Sequence, residues 1–130
     1  SVNDSSLVVR ADGPLSVLLT GDIEEEAQQR LLRSPGTDLL SVSVLTAPHH
    51  GAATQEPGFL AATEPHVTVT SAGEDNAYGH PAPSTWNTLE RLAAVNLRTD
   101  RDGSVAVLPG GGTGPPHGVI RGPAPDRPTG

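Results

Sequence analysis

The chain has 130 residues, which suits one domain with one modest core. Its formal net charge is −7, it contains no Lys, and its eight Arg residues are scattered, which argues against nucleic-acid binding through a basic surface alone. The absence of Cys excludes disulfides and thiolate ligands, so a metal site here must use His and carboxylate groups. No segment approaches the ~20 apolar residues of a membrane span, so we expect no direct membrane insertion.

The first third of the chain predicts a β-hairpin followed by a helix. Short β-favouring runs at residues 6–10 and 16–20 flank a turn at 11–14, the pattern of an antiparallel hairpin. Helix formers fill residues 24–32, with acidic side chains in the first turn. Asp22, which follows the second strand, is a candidate N-cap for this helix.

The middle of the chain predicts alternating strands and helices. The apolar run at residues 39–45 favours a strand buried on both faces, and 57–62 favours a short helix. The run at 67–70 favours the next strand, which implies a right-handed parallel crossover. The polar, Gly- and Pro-rich residues 71–81 then form a loop, which we expect at the same sheet edge as residues 48–51.

The last third predicts one more helix, two strands and a tail. Ser84 is expected to cap a helix that extends to about Val95 and buries one face. Strands are predicted at 97–99 and 104–108, on either side of a turn at 100–103. We therefore predict a domain over residues 1–108 and a Pro- and Gly-rich tail over 109–130 that is mobile or only loosely packed.

The segment Pro48-His49-His50-Gly51 is the main candidate for chemistry. Two adjacent imidazoles at the end of a buried strand, between Pro and Gly, suggest ligands on a constrained loop. Asp22 lies at a strand-to-helix junction, where sites collect in α/β sheets. The simpler interpretations are a helix cap for Asp22 and surface or structural roles for the histidines.

Two further groups of residues complete the candidate set. His80, between Gly79 and Pro81, is either a functional histidine or a loop residue held by turn chemistry. The polar residues that enter the first strand either contact a substrate or begin the hairpin, and they are Asn3, Asp4 and Ser6.

Taken together, five segments resemble the ComEC/Rec2 family of competence proteins, over about residues 2 to 108. The segments are Asn3-Asp4-Ser5-Ser6-Leu7-Val8-Val9, Leu18-Leu19-Thr20-Gly21-Asp22, Ala47-Pro48-His49-His50-Gly51, Asn76-Ala77-Tyr78-Gly79-His80-Pro81 and Arg98-Thr99-Asp100-Arg101-Asp102-Gly103. The resembling region of that family is its C-terminal metallo-β-lactamase-like domain. The resemblance implies the C-terminal half of an αββα sandwich, an α/β fold with a mixed sheet and about three helices.

The resemblance also implies a function and residue roles. The complete domain would be a metal-dependent nuclease, using zinc or manganese, that degrades the DNA strand not imported during transformation. Asp22 would bridge two metals and His50 would be a metal ligand, with His49 as the alternative ligand. His49 or His80 would contact phosphate. His80 and Asp22 would serve catalysis, while Asn3, Asp4 and Ser6 fall where related enzymes place a ligand or a substrate contact.

The resemblance further implies a setting and partners. The domain would lie outside the cytoplasm in a bacterial inner-membrane protein, with DNA, a membrane channel and the N-terminal half of the domain as partners. That half carries the family's His-x-His-x-Asp-His cluster, which does not occur in this chain. Ala52 also stands where the family usually has Ser.

The absence of the His-x-His-x-Asp-His cluster limits the activity that we expect of this chain. At most half of a dinuclear site is present, so we expect little activity and no stable dinuclear metal. An unpaired half-sandwich should expose an apolar face that dimerises or limits solubility. Two alternative functions stay open: a non-catalytic module that binds phosphate or a partner, and a small-molecule phosphodiesterase of the same fold.

Overall fold

The computed structural model describes residues 1–112 and 114–120. Seven strands are present in this part of the chain: β1 (Val9–Asp12), β2 (Ser16–Leu19), β3 (Val44–Thr46), β4 (Val67–Thr70), β5 (Val95–Arg98), β6 (Val105–Leu108) and β7 (His117–Ile120). The α-helices are α1 (Glu25–Arg33), α2 (Pro57–Thr63), α3 (Pro83–Leu92) and the four-residue α4 (Thr99–Asp102). Short 3₁₀ helices cover Val2–Ser5, Thr37–Leu40 and Pro48–Gly51.

Strands β1 to β5 form one mixed sheet in the order of the chain. β1 and β2 pair in antiparallel orientation, and β2, β3, β4 and β5 are parallel to one another. The predicted hairpin, parallel crossovers and α/β class are therefore confirmed. Since the carboxyl ends of parallel strands meet at one edge, the residues after β2, β3 and β4 converge there.

The main core lies between one face of this sheet and helices α1 to α3. Its buried residues are Leu18, Ile23, Ala27, Leu40, Val42, Leu45, Ala47, Phe59, Leu60 and Leu89. The neighbouring strand residue Val44 belongs to a second cluster, with Val67 and Leu97, on the opposite face. The alternation of Val44 and Leu45 between clusters follows the two-residue period of a strand.

The opposite face of the sheet is only partly covered. Strand β6 pairs with β7 in antiparallel orientation, and a Cβ on Gly118 of β7 would lie 2.7 Å from Leu97 Cδ1 of β5. Leu15, Val17 and Val69 pack against this cluster and stay half-buried. The sheet thus has one face closed by helices and one face with accessible aliphatic surface.

Two predicted helix caps are wrong. Helix α1 begins at Glu25 with Glu24 as its N-cap residue, and the Asp4 carboxylate accepts a hydrogen bond from the Glu24 N–H at 2.8 Å. Asp22 therefore does not cap α1. Helix α3 begins at Pro83 rather than after Ser84, because proline at the first helical position needs no N–H partner.

Several predicted strand boundaries also differ. The apolar run at residues 39–45 is divided, since a 3₁₀ helix covers Thr37–Leu40 and only Val44–Thr46 pairs as β3. The first strand starts at Val9, because Val2–Ser5 coils into a 3₁₀ helix before it. The predicted turn at 100–103 is largely the helix α4.

The last described residues fall within the predicted tail. Residues 117–120 lie in the predicted tail 109–130, where they form β7 and contact β5. Three of these four residues are exposed, so both the loosely packed tail and the boundary at residue 108 stay predictions. Residues 113 and 121–130 fall outside the described part of the chain. Within the described part, no helix has the length and apolar character to cross a membrane.

Replacement of Phe59 by Ala tests the main core. Phe59 is fully buried among the helices, so Phe59→Ala should lower the free energy of unfolding by roughly 3–5 kcal/mol. Phe59→Leu preserves most of the apolar volume, so it should lower the free energy of unfolding clearly less. Chemical denaturation followed by the fluorescence of the single Trp measures both, and equal stability of Phe59→Ala and the wild type would contradict this packing.

Candidate functional site

The turn that follows β3 has an uncommon backbone conformation. His49 and His50 both have left-handed dihedral angles, with φ values of 50° and 54°, and Gly51 continues at 76°. A residue with a Cβ in this region costs about 1–3 kcal/mol, so it keeps this conformation only where the surrounding structure enforces it. Two adjacent histidines in this state indicate that the fold holds their side chains in set directions.

Backbone contacts on both sides hold this turn. The His49 N–H donates to the Gly21 carbonyl at 2.9 Å, and the Ala82 N–H donates to the Gly51 carbonyl at 2.8 Å. A Cβ on Gly51 would lie 2.6 Å from Pro81 Cβ, so only glycine fits there. The turn is thus closed between the end of β2 and the residues that precede α3.

His50 is oriented by a backbone carbonyl. Its Nδ1 lies 2.9 Å from the Ser71 carbonyl oxygen, just after β4. Because a carbonyl oxygen only accepts, Nδ1 carries the hydrogen and the neutral ring keeps its lone pair on Nε2. That Nε2 lies 3.6 Å from Asp22 Oδ1, and both side chains are about half exposed. The pair therefore presents one nitrogen and one carboxylate to solvent at the same place.

Asp22 is fixed by the chain before β1. Its N–H donates to Ser6 Oγ at 3.2 Å, and a Cβ on the preceding Gly21 would lie 2.9 Å from Ser6 Cβ. Gly21 has a φ of 57°, so glycine satisfies both the close approach and the left-handed backbone. Because Asp22 does not cap α1, its carboxylate is available to a ligand.

His49 lies between the other two histidines. Its ring makes edge contacts with His50 and His80, at centroid distances of 6.2 and 5.5 Å. Its Nδ1 is buried without a hydrogen-bond partner and lies 3.9 Å from Glu24 Oε1. The distance is too long for a hydrogen bond but close enough for electrostatic attraction to a charged imidazole.

Glu24 is a site residue that sequence reasoning missed. We interpreted it only as part of an acidic first turn, whereas its carboxylate approaches His49 and accepts a hydrogen bond from Asn3 Nδ2 at 2.8 Å. The Asn3 amide is the main reason that the pKa of Glu24 is lowered, so this carboxyl is ionised at neutral pH. Glu24 thus adds a second negative group beside the histidines.

His80 is held by the loop that carries it. Asn76 Oδ1 accepts from the His80 N–H, and Asn76 Nδ2 donates to the His80 carbonyl, both at 2.8 Å. Burial lowers the pKa of His80, and the charges of His49 and His50 lower it further. Because its ordinary value is about 6.5, His80 is largely neutral at pH 7. It can therefore accept a proton or a hydrogen bond there.

The loop itself is tied to the end of β5. Thr99 Oγ1 donates to the Ala72 carbonyl and accepts from the Ala72 N–H, both at 2.9 Å. Next to it, the Arg98 guanidinium binds both Asp100 carboxylate oxygens at 2.7 Å and lies 4.7 Å from the centre of the Trp86 ring. This ion pair raises the pKa of Arg98 and lowers that of Asp100. Thr99 therefore links the start of the loop to the end of β5, next to the Arg98–Asp100 ion pair.

The three N-terminal candidates contact the two acidic residues of the site. Asn3 binds Glu24, Asp4 binds the Glu24 backbone, and Ser6 binds the Asp22 backbone. These contacts position the acidic residues, and substrate contact by the three side chains stays a prediction. The structure thus brings together Asp22, His49, His50 and His80. Among residues 1–112 and 114–120, no group of three or more His, Asp or Glu side chains has the spacing of a metal site.

The fold and this cluster define a class of protein. It is an α/β domain whose parallel strands deliver imidazole and carboxylate groups to their carboxyl edge, the position at which open α/β sheets bind ligands. Nitrogen and oxygen donors of this kind suit zinc or manganese.

Comparisons with known proteins give the family. The chain is 36% identical over 105 residues to competence protein ComA of Neisseria gonorrhoeae, covering 79% of this chain and 15% of that protein. It is 35% identical over 108 residues to ComE operon protein 3 of Bacillus subtilis, covering 81% and 14%. Recombination protein 2 of Haemophilus influenzae is 33% identical over 104 residues, covering 79% and 13%.

The chain belongs to the ComEC/Rec2 family of competence proteins. It spans only 13 to 15% of the length of these three relatives, so it corresponds to a segment of such a protein. No family model matches the chain, and no solved structure matches it at a significant level.

Replacement of His50 by Gly and by Ala tests the strained turn. His50→Gly should be more stable than His50→Ala by about 1–2 kcal/mol, because only the alanine keeps a Cβ in the left-handed region. At His117, which is exposed in strand β7, the order should reverse, with Gly less stable by roughly 0.5–1 kcal/mol. Chemical denaturation measures all four variants, and an alanine at position 50 as stable as glycine would contradict the left-handed turn.

Proposed function

We propose that this chain is the C-terminal part of a metallo-β-lactamase-like domain that hydrolyses phosphodiesters in DNA, with Asp22 and His50 as metal ligands. The observation that carries the proposal is the contact of His50 Nδ1 with the Ser71 carbonyl, which leaves Nε2 free beside Asp22 at 3.6 Å. Histidines that bind metals commonly donate their other N–H to a carbonyl in this way.

The donor set fits a divalent cation in part. One imidazole nitrogen and one carboxylate are available at the edge of the sheet, whereas catalytic zinc sites use three protein ligands. The remaining ligands would come from the N-terminal half of the domain. A bound zinc or manganese would supply the Lewis-acid polarisation that the scissile phosphate needs.

The other residues have roles that follow from their surroundings. Asp22 offers a carboxylate that does not cap α1, and Ser6 holds its backbone. His80, neutral at pH 7, can hydrogen-bond a phosphate or accept a proton during hydrolysis. His49, between His50 and His80, is the second candidate for phosphate contact and the alternative ligand.

The biological role proposed here is degradation of the DNA strand that is not imported during transformation. The support is the homology to competence proteins together with the His and Asp chemistry. The proposed location is the extracytoplasmic side of a bacterial inner membrane, beside a channel formed by the rest of the protein. The isolated chain is expected to have little activity.

The partly covered face of the sheet supports a partner on that side. Leu15, Val17 and Val69 keep accessible aliphatic surface next to the second core cluster. The proposed occupant is the N-terminal half of the domain. In its absence, two copies of this chain are expected to associate through the same surface.

A second candidate function is a module that binds phosphate or a partner without metal. The observation in its favour is that no group of three or more His, Asp or Glu side chains in the described residues has metal-site spacing. Under this alternative, metal removal leaves DNA binding unchanged.

The test uses the full-length competence protein that contains this segment. With manganese or zinc, Asp22→Asn and His50→Gln should each lower the rate of single-stranded DNA hydrolysis at least about 100-fold and reduce bound metal. The exposed residues Asp38 and His117 supply matched controls, and Asp38→Asn and His117→Gln should keep activity and metal content. Unchanged hydrolysis in Asp22→Asn would contradict the proposal. DNA binding without hydrolysis, insensitive to a chelator, would favour the binding module.

A further inference from the structure

Tyr78 is an aromatic side chain that the proposed chemistry does not use. It is the only Tyr of the chain, and it is 84% exposed. Its ring stacks on His80 with a centroid distance of 5.7 Å and an angle of 25° between the ring planes. A tyrosine combines a large apolar ring with a polar hydroxyl, and for this reason tyrosines are enriched at binding interfaces.

The loop presents this ring in a defined position. Asn76 binds the backbone of His80 through two hydrogen bonds and also donates to the Gly73 carbonyl at 2.9 Å. Thr99 fixes Ala72 at the start of the same loop. Tyr78 therefore lies within a segment that is anchored at both ends.

A groove connects Tyr78 with His50, one of the two proposed ligands. Its volume is about 240 Å³, and Tyr78, His80, Asn76 and His50 are among the residues that line it. A Cβ on Gly73, which also lines the groove, would contact nothing within 4 Å, so no side chain crowds this wall. The volume is below the ~300–1,000 Å³ of pockets for drug-sized ligands, which favours a single flat group over a larger molecule.

The charge of the chain favours contacts that do not depend on cations. With a net charge of −7 and no Lys, the chain has little general attraction for a phosphate backbone. Stacking of a base on an aromatic ring needs no positive charge and tolerates every base sequence. A tyrosine next to the site therefore supplies affinity that the surface charges do not.

We infer that Tyr78 is a stacking platform for a nucleobase next to the scissile phosphodiester, and that the groove holds this base. The inference rests on the proposed function, because it assigns the substrate of that site as single-stranded nucleic acid. Tyr78 is a substrate-positioning residue in this account. It orients the strand so that the adjoining phosphate lies beside His80, the proposed phosphate contact, on which the Tyr78 ring stacks.

The experiment uses fluorine NMR on the 130-residue chain labelled with 3-fluorotyrosine, which gives one signal because the chain has one Tyr. A short single-stranded oligothymidylate should shift this signal in a saturable way. The same oligomer with abasic sites should not shift it. In an affinity measurement with fluorescently labelled oligothymidylate, Tyr78→Leu should bind about 5- to 150-fold more weakly, which corresponds to the ~1–3 kcal/mol of one stacked base.

Two control variants sharpen the result. Tyr78→Phe keeps the ring and should keep most of the affinity, and Leu39→Ala removes an exposed apolar side chain outside the groove and should have no effect. Equal affinity of Tyr78→Leu and the wild type overturns the inference. So does an equal shift with the abasic oligomer, or no shift at millimolar oligonucleotide.

Hydrolysis by the full-length protein separates this inference from the proposed function. If Tyr78→Leu hydrolyses DNA as fast as the wild type and the fluorine signal does not shift with oligonucleotide, the stacking role of Tyr78 is contradicted and the nuclease proposal stands. If the fluorine signal shifts in a saturable way but the full-length protein shows no metal-dependent hydrolysis, the nuclease proposal is contradicted and base binding in the groove stands.

Discussion

The site depends on one constraint, the left-handed turn at Pro48–Gly51. Two consecutive histidines take a backbone conformation that glycine prefers, and the contacts of Gly21 and Pro81 with this turn keep them there. The turn therefore joins the end of β2, the end of β3 and the loop before α3 into one unit. Local strain of this kind is common at functional sites, where the surrounding fold maintains a geometry that the segment alone would not adopt.

The three histidines differ in their electrostatic surroundings. His50 is oriented by the Ser71 carbonyl toward Asp22, whereas His49 faces the ionised Glu24. Burial and the neighbouring imidazoles of His49 and His50 lower the pKa of His80 and favour its neutral form. One chain thus provides a nitrogen beside Asp22, an imidazole near the Glu24 carboxylate and a neutral imidazole at one edge of the sheet.

Much of the fold could be predicted from the hydrophobic pattern of the sequence. Where the prediction failed, the failure has a physical reason. The strand Val67–Thr70 and the helix from Pro57 agree with the sequence pattern, because β-branched runs and helix punctuation are local signals. The apolar run at 39–45 was misassigned because apolarity alone does not distinguish a strand from a 3₁₀ turn. Strand β7 was missed since its pairing with β6 and its packing on Leu97 are tertiary effects. The left-handed angles of His49 and His50, and the approach of Glu24, also arise from distant contacts.

The proposed role of His50 as a metal ligand requires a lone pair on its Nε2. Nitrogen NMR of the imidazole rings, recorded at alkaline pH where the rings are neutral, measures the tautomer directly. We predict that His50 carries its hydrogen on Nδ1, the atom beside the Ser71 carbonyl, and that zinc changes the Nε2 signal of His50. A hydrogen on Nε2 would mean that His50 donates toward Asp22 instead, and it would contradict the assignment of His50 as a metal ligand.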